Sequence, residues 1–196
     1  MSQTEQDPTS LLPTALIVDD EKEVADAYAL RLRGVCDIET VYGGQAALST
    51  VESRETDIVL LDRHMPSMSG DEVLETLTER GYYGRVIMVT AIDPNFDVLD
   101  MPFDDYLCKP IDREDLRAAV TQQLTVLGYE TLGEYFRVES KRQVLEAEIA
   151  AVERADHDAY QEIKQRSAAL KTRVDRVLED AEASLDQFAA VGREGR

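Results

Sequence analysis

The chain has 196 residues, of which 43% are hydrophobic and 31% charged, and its net charge at neutral pH is −19. The hydrophobic fraction excludes wholesale disorder, and the negative charge argues against a general nucleic-acid surface, because affinity for phosphate backbones comes largely from Lys and Arg. No apolar run approaches the roughly 20 residues that span a bilayer, and no secretory signal is present, so we expect a cytoplasmic protein without membrane contact. The acidic surface, with 16 Arg but 5 Lys, favours adaptation to concentrated salt, and a basic partner is the alternative.

Five strand–helix pairs are predicted in the first part of the chain. Short strand-like runs, most of them apolar, lie at residues 14–18, 37–42, 57–61, 85–89 and 105–108. Apolar residues recur between these runs at steps of three and four, which is typical of helices, and Asp112 is predicted to cap the last of them. Because the strands are apolar throughout and alternate with helices, we predict an α/β fold with a five-stranded parallel sheet covered on both faces.

Polar residues follow four of the predicted strands. Asp19 and Asp20 end the first strand, Asp62 the third, Thr90 the fourth and Lys109 the fifth. In open α/β sheets ligands bind outside the carboxyl ends of the strands. Three close carboxylates repel one another unless a cation compensates, and a site built of oxygen ligands suits Mg²⁺.

The chemistry that suits this set is phosphoryl transfer. Asp62 is the predicted nucleophile, forming an acyl phosphate, while Mg²⁺ and Lys109 neutralise the phosphoryl oxygens and Thr90 donates a hydrogen bond to one of them. Each signal alone is weak, because acidic residues at strand ends often cap helices and a single Lys is usually a solvated charge. The complete set, in which Asp-Asp, Asp, Thr-Ala and Lys-Pro each end a strand in this order, is a specific signal of such a site.

Residues from about 14 to 124 resemble the receiver domain of two-component response regulators. The matching stretches are LIVDDE at 16–21, DRHMPSMSG at 62–70, VTA at 89–91 and DDYLCKP at 104–110. The resemblance implies a flavodoxin-like (βα)5 fold in which Asp62 accepts a phosphoryl group from a histidine kinase. It also implies that Asp20 binds Mg²⁺ directly, Asp19 mainly through water, and His64 through its main-chain carbonyl.

The resemblance further implies a switch and two local features. Thr90 and Tyr106 form the switch pair, in which Tyr106 rotates inward when Thr90 is drawn to the phosphoryl group. The Lys109–Pro110 peptide bond is expected to be cis, and the apolar Ile92 indicates slow self-hydrolysis. Two prolines between Thr90 and Tyr106 leave room for only a short helix, which places the dimer face usual in this family in doubt and leaves a homodimer open.

The C-terminal segment is predicted to be helical, since no Gly or Pro occurs between Gly133 and Gly192. One apolar stripe comprises Leu145, Ile149 and Val152, and a second comprises Leu170, Val174, Val177, Ala181, Leu185 and Phe188. The pattern falters at 154–158, so both an antiparallel hairpin and one long coiled-coil helix with a stutter remain open. Charged residues such as Glu146 and Arg166 are predicted to form a solvated face, and His157 to be exposed.

We therefore predict a flexible N-terminus at 1–12, a receiver domain at 13–124 and a helical output domain at 125–192. YETLGEYF at 129–136 and SKR at 140–142, followed by a long helix, resemble the HalX domain of salt-loving archaea. The whole is expected to be a response regulator rather than a dedicated enzyme, with an unknown protein or DNA target. Alternatives are a DNA-binding transcription regulator using Arg137, Lys141 and Arg142, and a phosphatase with an Asp nucleophile.

The two cysteines lie far apart in the sequence, without the spacing of a metal site. Cys36 and Cys108 are each flanked by strand-like residues. We expect both to be small buried hydrophobic side chains, with no role as a disulfide or as zinc ligands.

Overall fold

The structure is a computed structural model that describes residues 12–91 and 96–178, together with residues 181 and 185. It divides into two compact units with the boundary between Leu124 and Thr125. The strands are β1 (Thr14–Val18), β2 (Asp37–Val41), β3 (Ile58–Asp62), β4 (Arg85–Thr90) and β5 (Asp105–Cys108). The helices are α1 (Lys22–Leu32), α2 (Gly44–Ser53), α3 (Gly70–Glu79), α4 (Arg113–Glu148), α5 (Ala151–Ala155) and α6 (Asp158–Val177), with a 3₁₀ helix at Phe96–Asp100.

The first unit is built on one sheet with strand order β2-β1-β3-β4-β5, and every pair of neighbours is parallel. All residues of the central strand β3 are buried, as expected for a strand covered by helices on both faces. The predicted α/β fold with a five-stranded parallel sheet is thus confirmed. The predicted short helix between the fourth and fifth strands is the 3₁₀ helix, and Ile92 lies outside the described residues.

The start of helix α3 is fixed directly beside the end of β3. Ser69 and Glu72 form a capping box, in which the Ser69 hydroxyl accepts from the Glu72 amide and the Glu72 carboxylate accepts from the Ser69 amide. A Cβ atom at Gly70 would lie 2.3 Å from the carbonyl oxygen of Asp62. Only glycine therefore allows this turn to pack against the strand end that carries Asp62.

Helix α4 runs through the boundary between the units without a break. Its start is capped as predicted, with the Asp115 amide donating to the Asp112 carboxylate over 2.8 Å. The helix continues to Glu148, because no proline or paired glycines follow that would stop it. None of the helices within the described residues combines the length and apolarity that a bilayer crossing requires.

The second unit contains an antiparallel helical hairpin formed by α4 and α6. Leu132 packs with Val174, Leu178 and Ala181 in its core. Breaks at 149–150 and 156–157 separate α4, α5 and α6, so of the two predicted alternatives the hairpin is correct. Exposed His157 precedes α6 as predicted.

Of the two predicted apolar stripes in this unit, only the second is confirmed. Val174, Val177 and Ala181 are buried, whereas Phe188 lies outside the described residues. The first stripe is wrong: Ile149 and Val152 are exposed, because the chain leaves α4 at this point and turns toward α6.

The two cysteines have different environments. Cys36 is buried, and burial raises the pKa of its thiol to about 12. Cys108 is exposed, so the prediction that it is buried is wrong. It occupies the last position of β5, an edge strand of the sheet, where one side of the chain has no neighbouring strand.

Candidate functional site

The strand register brings the three predicted carboxylates to one edge of the sheet. Val18 is paired with Leu61 and Asp62 with Val89, so β1, β3 and β4 end at the same level. Ligand oxygens of Asp19, Asp20 and Asp62 all lie within 4.8 Å of one another. Asp19 and Asp62 are buried, while Asp20 is exposed at the mouth of the cluster.

Lys109 lies between the two buried carboxylates. Its Nζ atom is 2.8 Å from Asp19 Oδ2 and 2.9 Å from Asp62 Oδ1. Burial by itself would lower the pKa of Lys109, but the hydrogen bonds to Asp19 and Asp62 outweigh it and raise that pKa to about 12. The Lys109 amide donates to the carbonyl of Thr90 over 2.6 Å, which ties the lysine to the end of β4.

The second oxygens of Asp19 and Asp62 accept main-chain hydrogen bonds. The Glu21 amide donates to Asp19 Oδ1 over 2.9 Å, and the His64 amide donates to Asp62 Oδ2 over 3.2 Å. Burial raises the pKa of Asp62, opposed by the hydrogen bond from Lys109 and reinforced by the charge of Asp19. The Asp62 carboxylate is thus oriented by donors on both oxygens.

The remaining predicted residues lie around this carboxylate cluster. Thr90 is fully buried, with its hydroxyl 3.4 Å from His64 Nδ1. Tyr106 is half-buried and its ring centroid is 5.5 Å from that of Phe103. The Lys109–Pro110 peptide bond is cis, as the resemblance implied.

Two features near the site have no counterpart in the sequence predictions. Arg63 binds the Asp71 carboxylate through two nitrogens, at 3.0 Å from each. Hydrogen bonds to Asp71, the larger cause, and to Tyr106 raise the pKa of Arg63, so this arginine, the residue after Asp62, links Asp71 with the predicted switch tyrosine. Gly70 was part of the matching motif, but only the structure shows the close approach to the Asp62 carbonyl that requires it.

The donor set fits a small divalent cation. Three carboxylates and one ammonium leave the cluster with a formal excess of two negative charges, and all its anionic donors are oxygens. Hard divalent cations such as Mg²⁺ bind oxygen ligands and keep several waters. Exposed Asp20 provides a side from which an ion and its water enter.

Comparison with known proteins supports the same interpretation. The family model for the response regulator receiver domain matches residues 15–121, and the model for the HalX domain matches residues 125–191. A crystal structure of the signal receiver domain of a provisionally named Luxo repressor from Vibrio parahaemolyticus has a TM-score of 0.60 and 28% identity. It covers 63% of this chain and 98% of its own.

Two curated relatives are regulators. A Haloferax volcanii protein provisionally named a transcriptional regulator is 37% identical over 88% of this chain and 30% of its own length. The transcriptional regulatory protein CutR of Streptomyces coelicolor is 38% identical over 54% of this chain and 50% of its own. The chain therefore spans half or less of the length of these two relatives.

Proposed function

Because this chain belongs to the response regulator receiver domain family, we propose that Asp62 is the phosphoacceptor of a two-component phosphorelay and that a histidine kinase is its donor. The observation that carries the proposal is the position of the Lys109 ammonium, within 2.9 Å of both Asp19 and Asp62, beside the exposed Asp20. A cation held against a buried nucleophilic carboxylate is suited to a reaction in which negative charge arrives at that carboxylate.

The transfer is a displacement at phosphorus. An oxygen of ionised Asp62 attacks the phosphohistidine phosphorus, the P–O bond of an acyl phosphate forms, and the P–N bond breaks so that the imidazole leaves. No base is needed, since the attacking carboxylate is already ionised. Lys109 offsets charge on the incoming phosphoryl oxygens, and the Thr90 hydroxyl donates to one of them.

Asp19, Asp20 and Asp62 are the residues that would hold Mg²⁺, with the main-chain carbonyl of His64 as the further ligand implied by the family. The ion would supply positive charge that neutralises the phosphoryl oxygens. The chain's own residues prepare this site: the Glu21 and His64 amides fix the orientation of the Asp19 and Asp62 carboxylates.

Phosphorylation is proposed to act on a helical output domain. Residues 13–124 are the phosphoaccepting domain and residues 125–192 the output domain, with Thr90 and Tyr106 as the switch pair. Movement of Thr90 toward the phosphoryl group would free space for Tyr106 and release the hydrogen bond that Tyr106 accepts from Arg63. The downstream target is proposed to be part of transcription control, in keeping with the names of the curated relatives.

Direct DNA binding through Arg137, Lys141 and Arg142, three of the basic residues of α4, is less well supported than a protein target. Arg142 pairs with Glu139 and Glu146 and is partly buried between them. Arg137 pairs with Glu134. Two of the three cations therefore already have carboxylate partners, and of the three only Lys141 offers a phosphate backbone a charge that is not paired in this way within the described residues. A retardation assay in salt tests this alternative directly.

The test of the proposed function is phosphorylation by acetyl phosphate with Mg²⁺, followed on a phosphate-affinity gel. We expect a shifted band for the native chain and none for Asp62→Asn. Asp26→Asn, which removes an exposed carboxylate of α1, is the matched control and should shift like the native chain. A shift that survives in Asp62→Asn, or its absence in all three proteins, contradicts the proposal, and sustained turnover of a phosphate ester would instead indicate a phosphatase.

A further inference from the structure

One face of helix α4 carries no charged side chain over seven successive heptad positions. These positions follow one another at alternating steps of three and four: Val126, Tyr129, Gly133, Phe136, Ser140, Gln143 and Ala147. They are called here the neutral stripe. In a chain with 31% charged residues and a net charge of −19, a helix surface about 30 Å long without charge is unexpected for a face that only meets water.

Four of the seven members of the neutral stripe are exposed and three, Phe136, Ser140 and Gln143, are half-buried, so the neutral stripe lies beside the face that builds the hairpin core. Val126 is 38% exposed and Tyr129 61% exposed. A Cβ atom at Gly133 would meet nothing within 4 Å. The hairpin core instead uses Leu132, which packs with Val174 of α6. Phe136 is half-buried and contributes to that core from its edge.

The sizes of the side chains in the neutral stripe alternate regularly. In heptad terms the a positions are all small or β-branched (Val126, Gly133, Ser140 and Ala147), and the d positions are all larger (Tyr129, Phe136 and Gln143). In a parallel pair of identical helices each position meets its own copy. The layers of small a residues would then leave gaps, and the layers of larger d residues would be overfilled. In an antiparallel pair every a position meets a d position, so a small side chain faces a large one in every layer.

We propose that the neutral stripe is the contact surface for a second copy of this chain, packed antiparallel. The register that fits places Gly133 opposite Phe136 of the second copy and Ser140 opposite Tyr129. It also places Glu130 and Arg137, which flank the neutral stripe, across from each other in both halves of the pair. Two chains of charge −19 repel each other, so a stripe without charge, bordered by opposite charges, is the surface on which they can approach.

The first test is sedimentation equilibrium of the native chain, Gly133→Glu and Ala168→Glu. The open space at Gly133 accommodates the new side chain, and Glu forms helix better than Gly, so this variant should keep its helical content. We expect a dimer whose association is weakened at least about 100-fold by Gly133→Glu, because an unpaired charge is buried. Ala168→Glu adds the same charge to an exposed site on α6 and should change association by less than about threefold. A native monomer at all concentrations, or an undiminished Gly133→Glu dimer, overturns the proposal.

The second test determines the orientation of the helices. Tyr129→Cys and Ser140→Cys are prepared separately in a Cys108→Ser background, which removes the exposed native thiol, and are oxidised with copper phenanthroline alone and mixed. In the antiparallel register two copies of position 129 are separated by 11 residues of helix, about 16 Å, which is too far for a disulfide. We therefore expect cross-linked dimers only in the mixture. Dimers formed by each variant alone would show parallel packing and overturn the orientation.

Discussion

The buried carboxylate of Glu139 links the two long helices of the C-terminal hairpin, and we predict that Glu139→Gln loosens α6. Glu139 is 6% exposed. Its oxygens accept hydrogen bonds from Arg142 Nη2 and from the Ser167 hydroxyl of α6, each over 2.6 Å. The hydrogen bond with Arg142, the largest cause, together with Ser167, lowers the pKa of Glu139 to about 2 despite burial.

The size of the effect follows from this shift in pKa. A fall from 4.5 to about 2 corresponds to an upper limit of about 3 kcal/mol, at roughly 1.4 kcal/mol per pKa unit. Because Gln keeps the shape and part of the hydrogen bonding of Glu139, we expect a loss of about 1–2 kcal/mol. The folded pKa lies below the unfolded one, so this stabilisation is complete above about pH 5 and is lost as the pH falls toward 2.

Hydrogen exchange of peptides from 158–177 measures this local stability. At pH 7 we expect amide protection in Glu139→Gln to be lower than in the native chain by about 5- to 30-fold. At pH 3 the difference should shrink by more than half, because Glu139 is then almost fully protonated in the unfolded chain but still mostly ionised in the hairpin. Glu162→Gln, at an exposed position of α6, is the control. Equal protection in the two variants, or a difference independent of pH, would refute the role assigned to Glu139.

Three further outcomes are expected. Gly70→Ala places a Cβ 2.3 Å from the Asp62 carbonyl oxygen and should lower the free energy of unfolding, measured by denaturant titration, by about 2 kcal/mol or more. Gly43→Ala is the control and should leave it unchanged, because a Cβ at Gly43 meets nothing within 4 Å. Lys109→Met removes the cation between Asp19 and Asp62 and should slow phosphorylation by acetyl phosphate at least about 10-fold in the gel assay, with exposed Lys22→Met as control. Lowering KCl from about 2 M to 0.1 M should lower the melting temperature of the first unit more than that of the second, as followed by circular dichroism, because residues 125–196 carry only −4 of the total −19.

The sequence was sufficient to predict the sheet and the composition of the candidate site. Four of the five predicted strands are followed by a polar residue, and parallel strands must bring those ends to one edge, so the proximity of Asp19, Asp62 and Lys109 followed from the order of the chain. The hydrogen bonds that orient the carboxylates did not follow, because they come from main-chain amides whose direction depends on loop geometry. The contact between Arg63 and Tyr106 joins residues 43 positions apart and has no local pattern.

The C-terminal hairpin was less predictable than the sheet. Leu145, Ile149 and Val152 fit a helical stripe, but such a stripe identifies a buried face only if the helix continues, and α4 ends at Glu148. The expected solvated face was wrong at Glu146, which accepts hydrogen bonds from Arg142 and from the Tyr160 hydroxyl and closes the end of the hairpin. Charge alone does not distinguish a solvated carboxylate from one that is paired across two helices.

Helix α4 also shows why apolar periodicity gave no clear stripe before residue 145. Its face toward α6 contains the buried polar residue Glu139 beside Leu132, while exposed Val126 and Tyr129 lie on the surface next to that face. Apolar side chains spread over so wide an arc of the helix, with polar residues among them, give no single narrow apolar stripe. A helix with one neighbour needs apolar residues only on the face that contacts it, whereas a helix between two neighbours needs apolar residues on both contact faces. The polar contacts of Glu139 help to fix the register with α6, and the neutral stripe beside them is the surface proposed for a second copy.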